Sequence, residues 1–91
     1  MPLTVVKIPG KNYDLRIEFE GENWTISPTE SPPGGETPVE SFKETFMDPA
    51  LLELEGWIRN HVGFGEDAHL NLVVLRRFYA SYQDLKESGR L

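Results

Sequence analysis

Cysteine is missing from the chain, and with it go disulfides, zinc ribbons, thiolate-held iron–sulfur clusters and thiol catalysis. Base is scarce: nine Lys and Arg stand against fifteen Asp and Glu, a formal charge of −6 at pH 7. Direct binding to nucleic acid or to an anionic membrane is therefore not expected, because phosphate contacts need Lys and Arg. No apolar run approaches the ~18 residues that a membrane span needs. The opening residues, Met1-Pro2-Leu3-Thr4-Val5, lack the basic flank and long apolar stretch of a secretory signal, so a cytoplasmic location is expected.

What remains is a chain of 91 residues, 38% hydrophobic and 26% charged, with a mean hydropathy of −0.41. That is one small domain, able to bury roughly 60–65% of its unfolded surface in one modest core. Its charge is unevenly placed. Between Asp14 and Glu55 eleven acids face only Arg16 and Lys43, a local charge of −9. A concentration of one sign steers an oppositely charged partner and raises its association rate. The plainer reading is that acids keep a small protein soluble.

Residues Tyr13 to Phe19 alternate. Tyr13, Leu15, Ile17 and Phe19 are apolar and Asp14, Arg16 and Glu18 are charged, the period-two signature of a half-buried strand. Gly21-Glu22 suits a two-residue type II′ turn. That register sets Glu20 opposite Asn23, Phe19 opposite Trp24 and Ile17 opposite Ile26, with the apolar pairs on one face. Leu3 to Ile8 is β-rich and ends at Pro9-Gly10-Lys11-Asn12, a turn cluster. Pairing Ile8 with Tyr13 places Val6 against Leu15 on the core face and Lys7 beside Asp14 on the other. Leu3 and Val5 then land on the face away from the core, where cover by another element is the expected account.

Residues 28–38 read as a Pro/Gly-rich loop. Between Ser27 and Pro38 there are four prolines, two glycines and no large apolar side chain, which cannot make a packed element. There is no Pro-x-x-Pro spacing with a flanking base, so no SH3-type ligand is expected. Residues 39–47 fit two patterns. Val39, Phe42 and Phe46 have helical spacing, yet Phe42 and Phe46 also fit alternation, and a fourth strand beside Trp24-Thr25-Ile26 would protect a bare edge.

Asp48-Pro49 has the form of a helix N-cap followed by proline at the first helical position, and residues 48–63 are read as a helix. Leu51, Leu54, Ile58 and Val62 make its core stripe, with Trp57 on the shoulder and Gly63 as the stop. A longer second helix is read over residues 66–88. Glu66 and Asp67 fall at its positive end, Asn71, Val74, Leu75, Phe78, Tyr82 and Leu85 form its inward stripe, and Lys86, Gly89 and Arg90 close it. The expected fold class is α+β: an antiparallel meander of three or four strands (residues 1–27 holding the first three) with two C-terminal helices packed on one face.

Catalytic chemistry finds little to stand on. His61 and His69 lack ligand spacing to each other or to Glu66 and Asp67, so no metal site is expected. His61 reads as a helix cap or core-edge residue. No serine is positioned beside a histidine by any motif. Gly63-Phe64-Gly65 precedes two acids that would repel a phosphate. A glycosidase-like carboxylate pair needs a pocket that so small a domain hardly offers. Asn23-Trp24-Thr25 matches a glycosylation sequon but lies within a predicted strand. Arg76-Arg77 is a lone basic pair, expected to pair with the domain's own acids. The chain is read as a non-enzyme without metal or cofactor; a small hydrolase is the least favoured alternative.

In size, acidity and want of a catalytic set, the chain resembles small acidic inhibitors as a class, such as phage-encoded anti-CRISPR and anti-restriction proteins and toxin-immunity proteins. The resemblance rests on no motif. It implies a protein partner with a basic surface, one that itself binds nucleic acid in the extreme version. The residues expected to make that contact are Asp14, Glu18, Glu20, Glu22, Glu30, Glu36, Glu40 and Glu44. A rival reading is an accessory subunit or homodimer using apolar surface at Leu3, Val5, Phe64 and Tyr79.

Overall fold

Alternation of apolar and polar side chains decides the sheet, and helical periodicity decides what covers it. A computed structural model of the protein describes residues 2–8, 11, 13–30, 42–62 and 72–91. Within them run β1 (Leu3–Val6), β2 (Tyr13–Glu20), β3 (Asn23–Glu30), β4 (Glu44–Met47), α1 (Leu51–Val62) and α2 (Val73–Glu87). The strands form one antiparallel sheet in the order β1-β2-β3-β4. The fold is α+β; of the ambiguous segment 39–47, residues 44–47 are a strand, while Val39 and Glu40 lie outside the described residues.

The register is the one the sequence pattern predicts: Val6 faces Leu15, Ile17 faces Ile26, Phe19 faces Trp24 and Glu20 faces Asn23. Gly21 turns the β2–β3 hairpin at φ 60°, while Glu22 keeps a negative φ, which together match a type II′ turn. Hydrogen-bonded and non-bonded pairs alternate along an antiparallel ladder. Since the Phe19 N–H donates to the Pro2 carbonyl at 3.3 Å, Thr4 and Val6 turn their backbone groups towards β2. Leu3 and Val5 turn theirs away from it.

The same counting explains Pro28. β3 continues to Glu30, so residues 28–30 belong to the strand and not to the loop expected there. Pro28 faces Leu15 in a non-bonded pair and directs its nitrogen to the β4 side. β4 pairs only as far as Ile26, so the missing N–H interrupts no ladder bond.

Val6, Leu15, Ile17, Phe19, Trp24 and Ile26 line the core face, and Leu54 and Ile58 of α1 with Leu75, Tyr79 and Tyr82 of α2 close over it. Trp24 sits among aromatic rings: Tyr82 at 4.9 Å, Phe19 at 5.0 Å and Phe78 at 5.4 Å between centroids. Each such pair adds about 0.5–1.5 kcal/mol beyond the area it buries. A second aromatic group lies at the β4–α1 side. His61 stacks on Trp57 at 4.6 Å and approaches Phe42 at 4.2 Å, a core-edge role. Phe42 in turn meets Tyr13 edge-on.

Several local expectations are corrected. The Asp48-Pro49 pair does not cap α1. Ala50 does so, its carbonyl accepting from Glu53 and Leu54 N–H, and Asp48 adopts a left-handed φ of 43° in the link from β4. Local sequence cannot separate a cap from a linker with the same letters; long-range bonds from α2 select the linker. Lys7 does not pair with Asp14, whose carboxylate accepts the Ile8 N–H at 3.2 Å instead. Arg76, as expected, pairs with an acid of the domain, Glu55, at 3.1 Å. Gly63, Glu66, Asp67, His69 and Asn71 lie outside the described residues, and α2 is described from Val73. Its inward stripe is Leu75, Tyr79 and Tyr82, flanked by half-buried Phe78 and Leu85, while Val74 is exposed. The helix ends as predicted at Gly89, φ 72°. Arg90 N–H donates to Leu85 and Gly89 N–H to Lys86, a Schellman closure.

Candidate functional site

Both helices pack on one face of the sheet, and no helix among the described residues packs on the other. Strand parity places Leu3 and Val5 of β1, Asp14, Arg16, Glu18 and Glu20 of β2, Asn23, Thr25, Ser27 and Thr29 of β3, and Thr45 and Met47 of β4 on this outer face. Leu3 is 47% exposed, Val5 41% and Met47 74%. Among the described residues, no element covers Leu3 and Val5 as expected.

The acids of β2 and its turn stand together at one end of this face. Glu18 and Glu20 are two residues apart, hence about 6.6 Å along the strand, and the exposed Glu22 follows in the turn. Arg16 reaches Glu18 at 3.4 Å across exposed surface, a pair worth little in water. Among the described residues, Glu20 and Glu22 have no ion-pair partner. Lys43 shares with Glu18, Glu20, Asn23 and Thr25 a shallow cleft of about 180 Å³.

The other expected contact residues divide. Asp14 has the right parity but is only 8% exposed and spends its carboxylate on Ile8, so it is not a contact residue. Glu44 is exposed but faces Ile26, on the helix side of the sheet. It shares that face with Phe46, so the alternation read across residues 42–46 did not separate the two. Tyr79 is corrected as well: it is 8% exposed, and its hydroxyl donates to the Pro49 carbonyl at 2.7 Å. The side chain of Glu30, and Glu36, Glu40 and Phe64 altogether, lie outside the described residues.

No family model, curated protein or solved structure matches this chain.

The cluster that sequence reasoning missed lies on the helix side. Asp48 accepts hydrogen bonds from the Tyr82 hydroxyl at 2.9 Å and from Lys86 Nζ at 2.6 Å. The Lys86 ammonium and the Tyr82 hydroxyl hold the Asp48 carboxyl below the usual carboxylate range. Asp48 in turn raises the Lys86 pKa. Burial, then the bond to Asp48, push the Tyr82 phenol up to about 12. The Trp24 indole N–H is buried without a hydrogen bond of acceptable geometry, although its proximity to the Tyr82 oxygen works mildly the other way. Tyr82 and Lys86, with Tyr79, Gln83 and Glu87, line a cleft of about 350 Å³. Its cation is already engaged by Asp48, which makes the cluster a tie between the β4–α1 link and α2. Residues so far apart in the chain leave no local signal.

Among the described residues, no group of three or more His, Cys, Asp or Glu side chains is placed to hold a metal ion. No helix among them is long and apolar enough to cross a membrane.

Proposed function

We propose that the protein is a non-catalytic binding domain that docks on a basic surface of a partner protein through the outer end of its β2–β3 hairpin. The observation that carries this reading is the group Glu18, Glu20 and Glu22 at the turn end of the outer face, of which only Glu18 has an ion-pair partner among the described residues. The hairpin fixes the backbone spacing of these residues, so on binding the glutamate side chains are ordered but the backbone that carries them is already set. The surrounding Asn23, Thr25 and Thr45 offer neutral hydrogen-bonding groups for a polar rim. Inhibition by occlusion is the form this takes if the partner's basic surface is itself a nucleic-acid groove, since a row of carboxylates competes there with phosphates.

Capture of the partner from its native cell at low and high salt, using wild-type protein and the triple variant Glu18→Lys, Glu20→Lys, Glu22→Lys, tests this. Wild-type protein is expected to retain the partner at low salt and release it at high salt, while the folded triple variant retains nothing. Equal retention by both would overturn the reading.

A further inference from the structure

Two large apolar side chains stand far more open than any other among the described residues: Met47 at 74% and Leu52 at 81%, where the next, Leu3, is 47% exposed. A single exposed Leu or Met is ordinary on a protein surface. The position of these two is not random. Met47 ends β4 and Leu52 lies in the first turn of α1, so the link of Asp48, Pro49 and Ala50 joins the elements that carry them. That link is fastened to the acidic turn, since the Asp48 N–H donates to the Glu22 carbonyl at 2.7 Å. On the outer face Met47 stands opposite Asn23, and Asn23 opposite Glu20. Two strand spacings then separate Met47 from Glu20, about 10 Å. Both open apolar side chains sit at the end of the molecule that carries Glu20 and Glu22.

We propose that Met47 and Leu52 are the apolar centre of the docking surface, and that the partner it fits is a protein whose basic residues border an apolar depression. This rests on the docking reading above and adds what holds the complex once it has formed. Charge complementarity fixes the border: Glu18, Glu20 and Glu22 call for Lys or Arg around the depression. Carboxylates act at a distance, raise the association rate and weaken with salt. Apolar contact acts only on touching and is not screened by salt, so it slows dissociation. Stable interfaces divide their labour in the same way, with an apolar centre enriched in Met and depleted of charge inside a polar rim. The unbranched thioether of Met47 adapts to the shape it meets.

The experiment uses two synthetic helical peptides of equal positive charge as probes. One carries a leucine stripe bordered by lysines; in the other the leucines are glutamines, whose helix propensity is similar. Binding of each is measured to the full chain as wild type, as folded Met47→Gln/Leu52→Gln, as Glu18→Lys/Glu20→Lys/Glu22→Lys, and as the control Val73→Gln/Val74→Gln. Val73 and Val74 are also exposed but begin α2, about 18–20 Å along the helix from Lys86. Wild type is expected to bind the leucine peptide roughly tenfold or more tightly than the glutamine peptide. Met47→Gln/Leu52→Gln is expected to lose that preference and the control to keep it. Equal affinity of wild type for the two peptides would overturn the inference and leave the charge-based reading standing. So would a preference that survives Met47→Gln/Leu52→Gln, or one that the control also loses. Binding of the glutamine peptide unchanged by the triple hairpin variant would instead strike the docking reading, and this inference with it.

Discussion

Asp48 and Lys86 meet at 2.6 Å across 38 residues of chain, and Tyr82, one helical turn before Lys86, bonds the same carboxylate oxygen. A left-handed residue in the β4–α1 link is thereby fastened to the last turns of α2. Replacing Asp48 with Ala removes the acceptor of both bonds and leaves a backbone that alanine adopts reluctantly. Replacing it with Asn keeps the left-handed preference and loses the charge. Thermal melting is expected to order the proteins wild type, Asp48→Asn, Asp48→Ala from most to least stable.

Of the three perturbed groups of this tie, Asp48 acts at the acid end of the pH scale and Tyr82 and Lys86 at the alkaline end. Asp48 has a lowered pKa in the folded state, so its contribution is present above the unfolded value near 3.9 and fades as pH falls through the folded one. Tyr82 has a raised pKa of about 12. Its contribution is complete below the unfolded value near 10 and is lost as pH climbs towards 12. Denaturant melts across pH are expected to show an alkaline loss of stability in wild type that is reduced in Tyr82→Phe. An identical alkaline slope in both would place its origin elsewhere.

Trp24 combines a fully buried ring with an unpaired indole N–H. Trp24→Ala is expected to cost about 3–5 kcal/mol, the range for large aromatic truncations in a packed core. Trp24→Phe is expected to cost markedly less, because part of the lost packing is offset by removing a donor that has no acceptor. Chemical denaturation of both variants measures the difference.

Gly89 closes α2 at φ 72° with open space where a Cβ would stand. Gly89→Ala is therefore a purely conformational change, and its expected cost is about 1 kcal/mol. Gly21, φ 60° and equally open, is expected to behave alike in the hairpin. A loss near zero at either site would mean that the backbone there relaxes.

What the sequence reveals of this molecule follows the range of each interaction. The register of the meander is legible because strict alternation from Tyr13 to Phe19 and one glycine at position 21 keep every apolar pair on one side, while the far end of β3, residues 28–30, is not. The Schellman end of α2 was legible for the same reason, being written within five residues. β4 was not, since two phenylalanines four apart satisfy helix and strand alike, and only pairing with Trp24 and Ile26 separates them. Tyr79 was placed outside because its neighbour Phe78 fits the same stripe; the Pro49 carbonyl, far away in sequence, draws Tyr79 inward. Of the expected acidic surface, Glu18, Glu20 and Glu22 share an accessible region by strand parity and adjacency. Asp14 is lost to a backbone N–H and Glu44 to the opposite face, neither of which charge counting detects.

The most direct test of the account is the association rate with the captured partner, followed across an ionic-strength series for three proteins. These are wild type, Glu18→Lys/Glu20→Lys/Glu22→Lys, and Glu53→Lys/Asp84→Lys/Glu87→Lys, whose reversals change net charge equally but lie on the helices. The account predicts a wild-type rate that falls with salt, a hairpin variant slower by roughly tenfold or more at low salt, and a helix variant close to wild type. Equal slowing in both variants, or in neither, would contradict it.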